Sequence, residues 1–197
     1  IGPTSPYRGG ISHYNTLLCK ELKKKHEVDA ISFTRLYPKI LFPGSDQKDS
    51  NSQEKIEVES TEIIDSINPM TWLKVSKRIK SYNPDLVILY WWTPYFTFNF
   101  LTITALIKRN TNAKILFLCH NVAPHDARFI DKMLTKQALK HSDYFIVHAS
   151  EEKNRLVEMF PNKKVVQHVH PVYDVFKEKF IKENLDLNLR KKVLLFF

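Results

Sequence analysis

A chain of 197 residues with 43% hydrophobic and 12% aromatic content is long enough to fold on its own core, burying roughly 70% of the surface its unfolded form exposes. Its 30 Lys and Arg against 21 Asp and Glu give a formal net charge of +9, which favours an anionic partner such as phosphate, acidic lipid head groups or nucleic acid. No apolar window suffices to span a bilayer, no secretory leader pattern opens the chain, and Cys19 and Cys119 lack CxxC partners, so reduced thiols in a soluble, cytoplasmic enzyme are expected.

Ile11, Tyr14, Leu17, Leu18 and Leu22 recur at helical spacing, and Lys20, Lys23, Lys24 and Lys25 gather where cations complement a helix dipole, which predicts a helix over 11–25. Alternation through Val28, Ala30, Ile31 and Phe33 predicts a strand over 26–33, and the polar stretch 44–60 reads as an excursion from the sheet. Trp72, Val75, Ile79 and Tyr82 share one helical face in a segment ending near Asn83-Pro84. The apolar runs at 85–90, 114–119 and 143–148 are those of strands covered on both sides, and helical patterns at 94–109 and 130–141 separate them. A helix over 151–160 and a strand over 164–169 follow. Such alternation implies right-handed crossovers, hence an α/β fold: a Rossmann-like parallel sheet with helices on both faces. Ile1 reads as the stub of a first strand, and Val193-Leu194-Leu195-Phe196-Phe197 as a buried strand after a polar segment that runs to Lys192.

Three constellations carry chemistry. Pro6-Tyr7-Arg8-Gly9-Gly10-Ile11-Ser12 joins the strand stub to a helix, and its glycines admit a ligand close to the free N–H groups of the helix start, as a phosphate cradle requires. It matches neither GxGxxG nor GxxxxGK[ST]. Cys119-His120-Asn121-Val122-Ala123-Pro124-His125-Asp126 sits at the carboxyl end of a predicted strand, the edge where open α/β sheets bind ligands, so His120, Asn121 and, less directly, His125 are candidates. In Tyr90-Trp91-Trp92-Thr93-Pro94-Tyr95-Phe96 most rings belong to the core, and Trp92 and Tyr95 are the choices for stacking on a sugar in the cleft. His168 and His170 have a metal-like spacing on one strand face but no carboxylate or Cys partner, so no metal is expected. The basic helix faces are solvated surface or contacts to acidic lipid; no nucleic-acid-binding pattern accompanies them.

Taken in order, Gly2-Pro3, Pro6-Tyr7-Arg8-Gly9-Gly10-Ile11-Ser12, Tyr37-Pro38, Phe42-Pro43-Gly44, Pro84-Asp85-Leu86-Val87, Cys119-His120-Asn121-Val122 and His170-Pro171-Val172-Tyr173 resemble the N-terminal domain of the GT-B-fold retaining glycosyltransferases of family 4, also called group 1. The resemblance implies an acceptor-side, Rossmann-like domain over 1–175, a linker over 176–192 and, at 193–197, the first strand of a second, donor-binding domain. It implies a hexosyltransferase acting with retention on a glycan or lipid-linked acceptor, with the nucleotide sugar as substrate and no metal or other cofactor. Gly9 and Gly10 would present backbone N–H groups to the donor diphosphate, Arg8 would add charge, and His120 would sit beside the transferred sugar. Trp92, Tyr95, Asn121 and His125 would serve the acceptor. The fragment alone is expected to be inactive, and the enzyme to act in polysaccharide biosynthesis, peripherally at the inner face of an acidic membrane. The competing readings are a nucleotide-sugar epimerase of the same fold and a non-catalytic basic domain binding membrane or nucleic acid.

Overall fold

In a computed structural model, which describes residues 1–42, 46–49, 56–122 and 128–171, the apolar runs form a parallel four-stranded sheet. β3 (Leu86–Trp91), β4 (Lys114–Cys119), β5 (Tyr144–Val147) and β6 (Lys164–Gln167) lie side by side in that order, with Leu89 opposite Phe117, Phe117 opposite Phe145 and Phe145 opposite Val165. A second parallel pair consists of β1 (Ile31–Arg35) and β2 (Thr61–Asp65). Ile1 and Gly2 bridge the two. The Gly2 N–H donates to the Ile31 carbonyl (3.1 Å) and the Tyr90 N–H donates to the Ile1 carbonyl (3.1 Å), while the Ile1 amine donates to the Ile88 carbonyl (2.7 Å). The expected strand stub is therefore hydrogen-bonded on both sides, and Gly2 is needed there because a Cβ would meet the Tyr90 ring at 2.8 Å.

α1 (Gly10–Lys23) covers one face of this sheet, and α2 (Pro69–Tyr82), α3 (Thr97–Asn110), α4 (Phe129–Leu139) and α5 (Ser150–Met159) contribute to the core on the other. Strand alternation sets the division: Val87, Leu89 and Trp91 face the α2–α5 side with Phe117, Phe145, Phe100 and Ile103, whereas Ile88 and Tyr90 face Tyr14, Ile11 and Leu18 of α1. α2 begins as its sequence dictates, with the Asn68 Oδ1 accepting the Met70 N–H and Pro69 in the first turn, and Asn83 ends it in the left-handed region at φ 50°.

Several expected boundaries move. The strand expected over 26–33 falls at Ile31–Arg35, the 94–109 helix starts as a 3-10 turn at Pro94–Phe96 before α3, and β6 stops at Gln167. β2 and a 3-10 turn at Lys39–Leu41 have no counterpart in the sequence reading. β2 was hidden by its charge: Glu62 pairs with Lys48 at 2.7 Å and Asp65 with Arg35, so the alternation that marks a strand is made of ion-paired as well as apolar residues. The expected linker at 176–192 and terminal strand at 193–197 lie outside the described residues.

Asp143 ties three elements together at the amino end of β5. Its Oδ2 accepts from the Lys108 ammonium of α3 (2.5 Å) and from the Ile115 N–H of β4 (2.6 Å). Partial burial raises its pKa, but the hydrogen bonds from Lys108 and Ile115 outweigh that effect, and the net result lies below the ordinary 3.8. Replacing Asp143 by Ala should cost about 1–3 kcal/mol at pH 7, since it strips the Ile115 N–H of its acceptor. A lowered folded pKa stabilises above the unfolded value, so this contribution is fully present about one pH unit above the unfolded value and disappears as pH falls through the folded value. Urea unfolding at pH 7 and at pH 3 should show the difference between wild type and variant shrinking with acid; an unchanged gap would refute the charged pairing.

Candidate functional site

Parallel strands deliver their carboxyl ends to one edge of the sheet, and three imidazoles collect there. His120 follows the last residue of β4, and its N–H donates to the Trp91 carbonyl (2.9 Å), extending the ladder with β3 by one residue. His148 follows the last residue of β5, and because Cys119 and Val147 are opposite each other in the register, the two histidines emerge as neighbours. The His168 N–H donates to the Val147 carbonyl (2.9 Å), continuing the ladder past β6, and the chain then brings in His170. One ring nitrogen from each of His120, His148 and His170 lies within 4.8 Å of the others. Tyr14 of α1 lies against all three rings, at centroid distances of 5.2, 5.3 and 5.1 Å respectively.

Two of the three rings, His120 and His148, are half-buried. The Nε2 atoms of His120 and His148 are both buried without a hydrogen-bond partner among the described residues. The His120 ring stacks on Tyr90 at 5.9 Å and 19°. Burial first, and then the charge that His148 and His170 would carry, push the His120 pKa down to about 4, so its imidazole is neutral at pH 7. Burial also lowers the His148 pKa, although its hydrogen bond to the His168 carbonyl opposes the shift.

Beside this cluster α1 begins with no side-chain cap and no acidic residue in its first turn. The positive end of its dipole therefore meets no carboxylate from its own first turn. Gly9 sits at φ 105°, a conformation that other residues adopt only with strain, and Gly10 opens the helix. Among the described residues, a Cβ at either glycine would meet nothing within 4 Å, which leaves space for a ligand over both. Arg8 is exposed, only loosely paired with Asp49 at 3.9 Å. Tyr14, one turn beyond Gly10, carries the helix start to the His120 ring.

The family model described as Glycosyltransferase Family 4 matches residues 8–175, most of the chain. The chain belongs to this family. No curated protein matches it. The matched span holds the glycine turn, the first helix and all three clustered histidines.

The other nominated residues of this family 4 chain are distributed less simply. Asn121 is exposed next to His120, and His125 lies outside the described residues. Trp92 and Tyr95 are half-buried after β3, with their polar tips engaged: the Trp92 Nε1 donates to the Tyr37 hydroxyl (2.9 Å), and the Tyr95 and Ser66 hydroxyls are 3.0 Å apart. Trp92 also packs on Phe96 at 4.4 Å and Tyr95 on Tyr37 at 5.2 Å, which joins both to an aromatic cluster, and Trp92 packs as well against the Tyr14 and Tyr90 group that borders the imidazoles. The loop after β4 is anchored by a residue that sequence reasoning passed over, Glu152 of α5, whose buried carboxylate accepts the Val122 N–H at 2.5 Å. A cavity of about 410 Å³, lined by Ile1, Leu22, Asp29, Ile79 and Leu86 near the amino ends of the strands, reaches Tyr90, whose ring stacks on that of His120. His168 and His170 do not share a strand face as expected: β6 ends before either, and only His170 joins the cluster, because its partners come from the ends of β4 and β5. No described helix is long and apolar enough to cross a membrane.

Proposed function

We propose that this chain supplies the acceptor-side half of a glycosyltransferase that moves a sugar from a nucleotide-sugar donor to a glycan or lipid-linked acceptor with retention at the anomeric carbon. The observation that carries the reading is the contact of Tyr14 with His120 at 5.2 Å, which sets the glycine-opened start of α1 beside the imidazole at the carboxyl edge. The donor diphosphate occupies the space over Gly9 and Gly10, where aligned N–H dipoles and Arg8 stabilise the charge that grows on the leaving oxygen. His120, being neutral, serves the transferred sugar as a hydrogen-bonding group rather than a cation. The acceptor hydroxyl then attacks on the face the diphosphate leaves and passes its proton to the departing phosphate oxygen.

A membrane-borne acceptor is favoured by α4, on which Phe129, Ile130 and Met133 are 81%, 60% and 47% exposed beside Arg128, Lys132 and Lys136. Apolar side chains ringed by cations suit an acidic lipid surface. The test is transfer by the full-length protein from a panel of nucleotide sugars to acceptors in anionic and in zwitterionic vesicles, with the product's anomeric configuration read by NMR. Retained configuration and a preference for anionic vesicles are expected. Inversion would remove the mechanism, epimerised donor without transfer would replace it with the epimerase, and equal rates on both vesicles would remove the membrane acceptor.

A further inference from the structure

We infer that His120, His148 and His170 form a three-imidazole site for a divalent transition ion of the Zn2+ type, with its remaining coordination position open to the cleft. Three observations converge. One ring nitrogen from each residue lies within 4.8 Å of the others, and the three residues follow β4, β5 and β6 at one edge of the sheet. The Nε2 atoms of His120 and His148 are buried with no hydrogen-bond partner among the described residues, a costly state for an imidazole that a metal would relieve.

The third observation concerns orientation. A carbonyl oxygen only accepts, so the Nδ1 of His148 must donate to the His168 carbonyl (2.9 Å) and the Nδ1 of His170 to the Pro171 carbonyl (3.0 Å). Each bond fixes the tautomer in which Nε2 keeps its lone pair, the arrangement that orients histidine ligands in metal sites. Zinc–nitrogen bonds of about 2.0–2.1 Å at tetrahedral angles put ligand nitrogens about 3.4 Å apart, so the cluster must tighten by roughly 1.4 Å at most. His170 is exposed and can supply that movement through its side-chain torsions.

The donor set also selects the ion. Three neutral nitrogens suit zinc, nickel, copper or cobalt, whereas Mg2+ and Ca2+ demand oxygen ligands. The inference does not depend on the transfer chemistry, but the two meet at one atom. A metal on His120 consumes the lone pair that a sugar hydroxyl would use, so occupancy and sugar contact exclude each other.

Cobalt provides a readout independent of activity, because a four-coordinate Co2+ ion gives intense visible absorption that Zn2+ abolishes on displacement. Titration of the full chain with Co2+ should give one such site per chain, displaced by stoichiometric Zn2+ and insensitive to excess Mg2+. His170→Ala and His148→Ala should each weaken binding by about 100-fold or more, beyond the roughly 10–100-fold that losing an orienting partner costs. His168→Ala should leave it intact, since only the backbone carbonyl of that residue orients His148. Because His170 is exposed, its removal leaves the core untouched, and unchanged thermal melts would show that the fold persists. Absence of the four-coordinate spectrum, or equal affinity in wild type and the His148 and His170 variants, would overturn the site.

Discussion

Gly10→Val should leave the protein folded and depress transfer by about 100-fold or more, the scale on which losing one preorganised N–H donor to a developing anion is felt. The two halves of this result separate structure from function. Gly10 is the first residue of α1, its backbone is not in the positive-φ region, and a Cβ there meets nothing within 4 Å among the described residues. Glycine is among the weakest helix formers, so valine should hold or slightly raise stability, by a few tenths of a kcal/mol. What valine does change is the approach to the N–H groups of the first turn, which its branched side chain would screen from a diphosphate. Gly10→Ala should fall between the two. Gly9→Ala is a poorer probe, because at φ 105° the substitution strains the backbone whatever binds there. Melting curves with transfer rates on the same samples check the prediction: full transfer by a stable Gly10→Val protein would remove the diphosphate from this turn.

The parts of this architecture that sequence could reveal are those with a local physical cause. β3 and β4 are covered on both sides, so their runs of apolar residues name them almost to the residue, and α2 carries its own cap at Asn68 and its own stop at Asn83. β2 fails the same reading because its stability comes from partners 14 and 30 residues away: Lys48 for Glu62 and Arg35 for Asp65. The site divides likewise. The glycine turn and His120 are legible as a helix start and a strand end. The imidazole cluster is not, since it exists only once the β4–β5 register puts residue 120 next to residue 148 and the chain beyond β6 brings in residue 170. One signal was present, the repeated fall of a histidine at or just past the end of a predicted strand, at 120, 148 and 170. Trp92 and Tyr95 are legible as strand-end aromatics, but the partners of their polar tips are not, since Tyr37 and Ser66 come from distant segments.

His120→Ala should lower transfer by about 100-fold or more, mainly in kcat, while leaving the melting temperature nearly unchanged. The stability half follows from what the imidazole gives up in the folded state. Its ring stacks on Tyr90 and meets Tyr14 edge-on, contacts that favour folding, but its Nε2 is buried without a partner among the described residues, which opposes folding by a comparable amount. Removing the side chain discards both contributions together. The kinetic half follows from the place of the ring at the cleft end of β4, next to the helix start assigned to the diphosphate. A hydrogen bond to the sugar that strengthens as the anomeric centre becomes cationic acts on the transition state, and its loss therefore reduces kcat more than it raises KM. His120→Asn, which restores a hydrogen-bonding group on a shorter side chain, should recover part of the rate. A large rise in KM at constant kcat would instead make His120 a ground-state binding residue. Unchanged kinetics would leave the start of α1 as the sole element of the site acting on the donor.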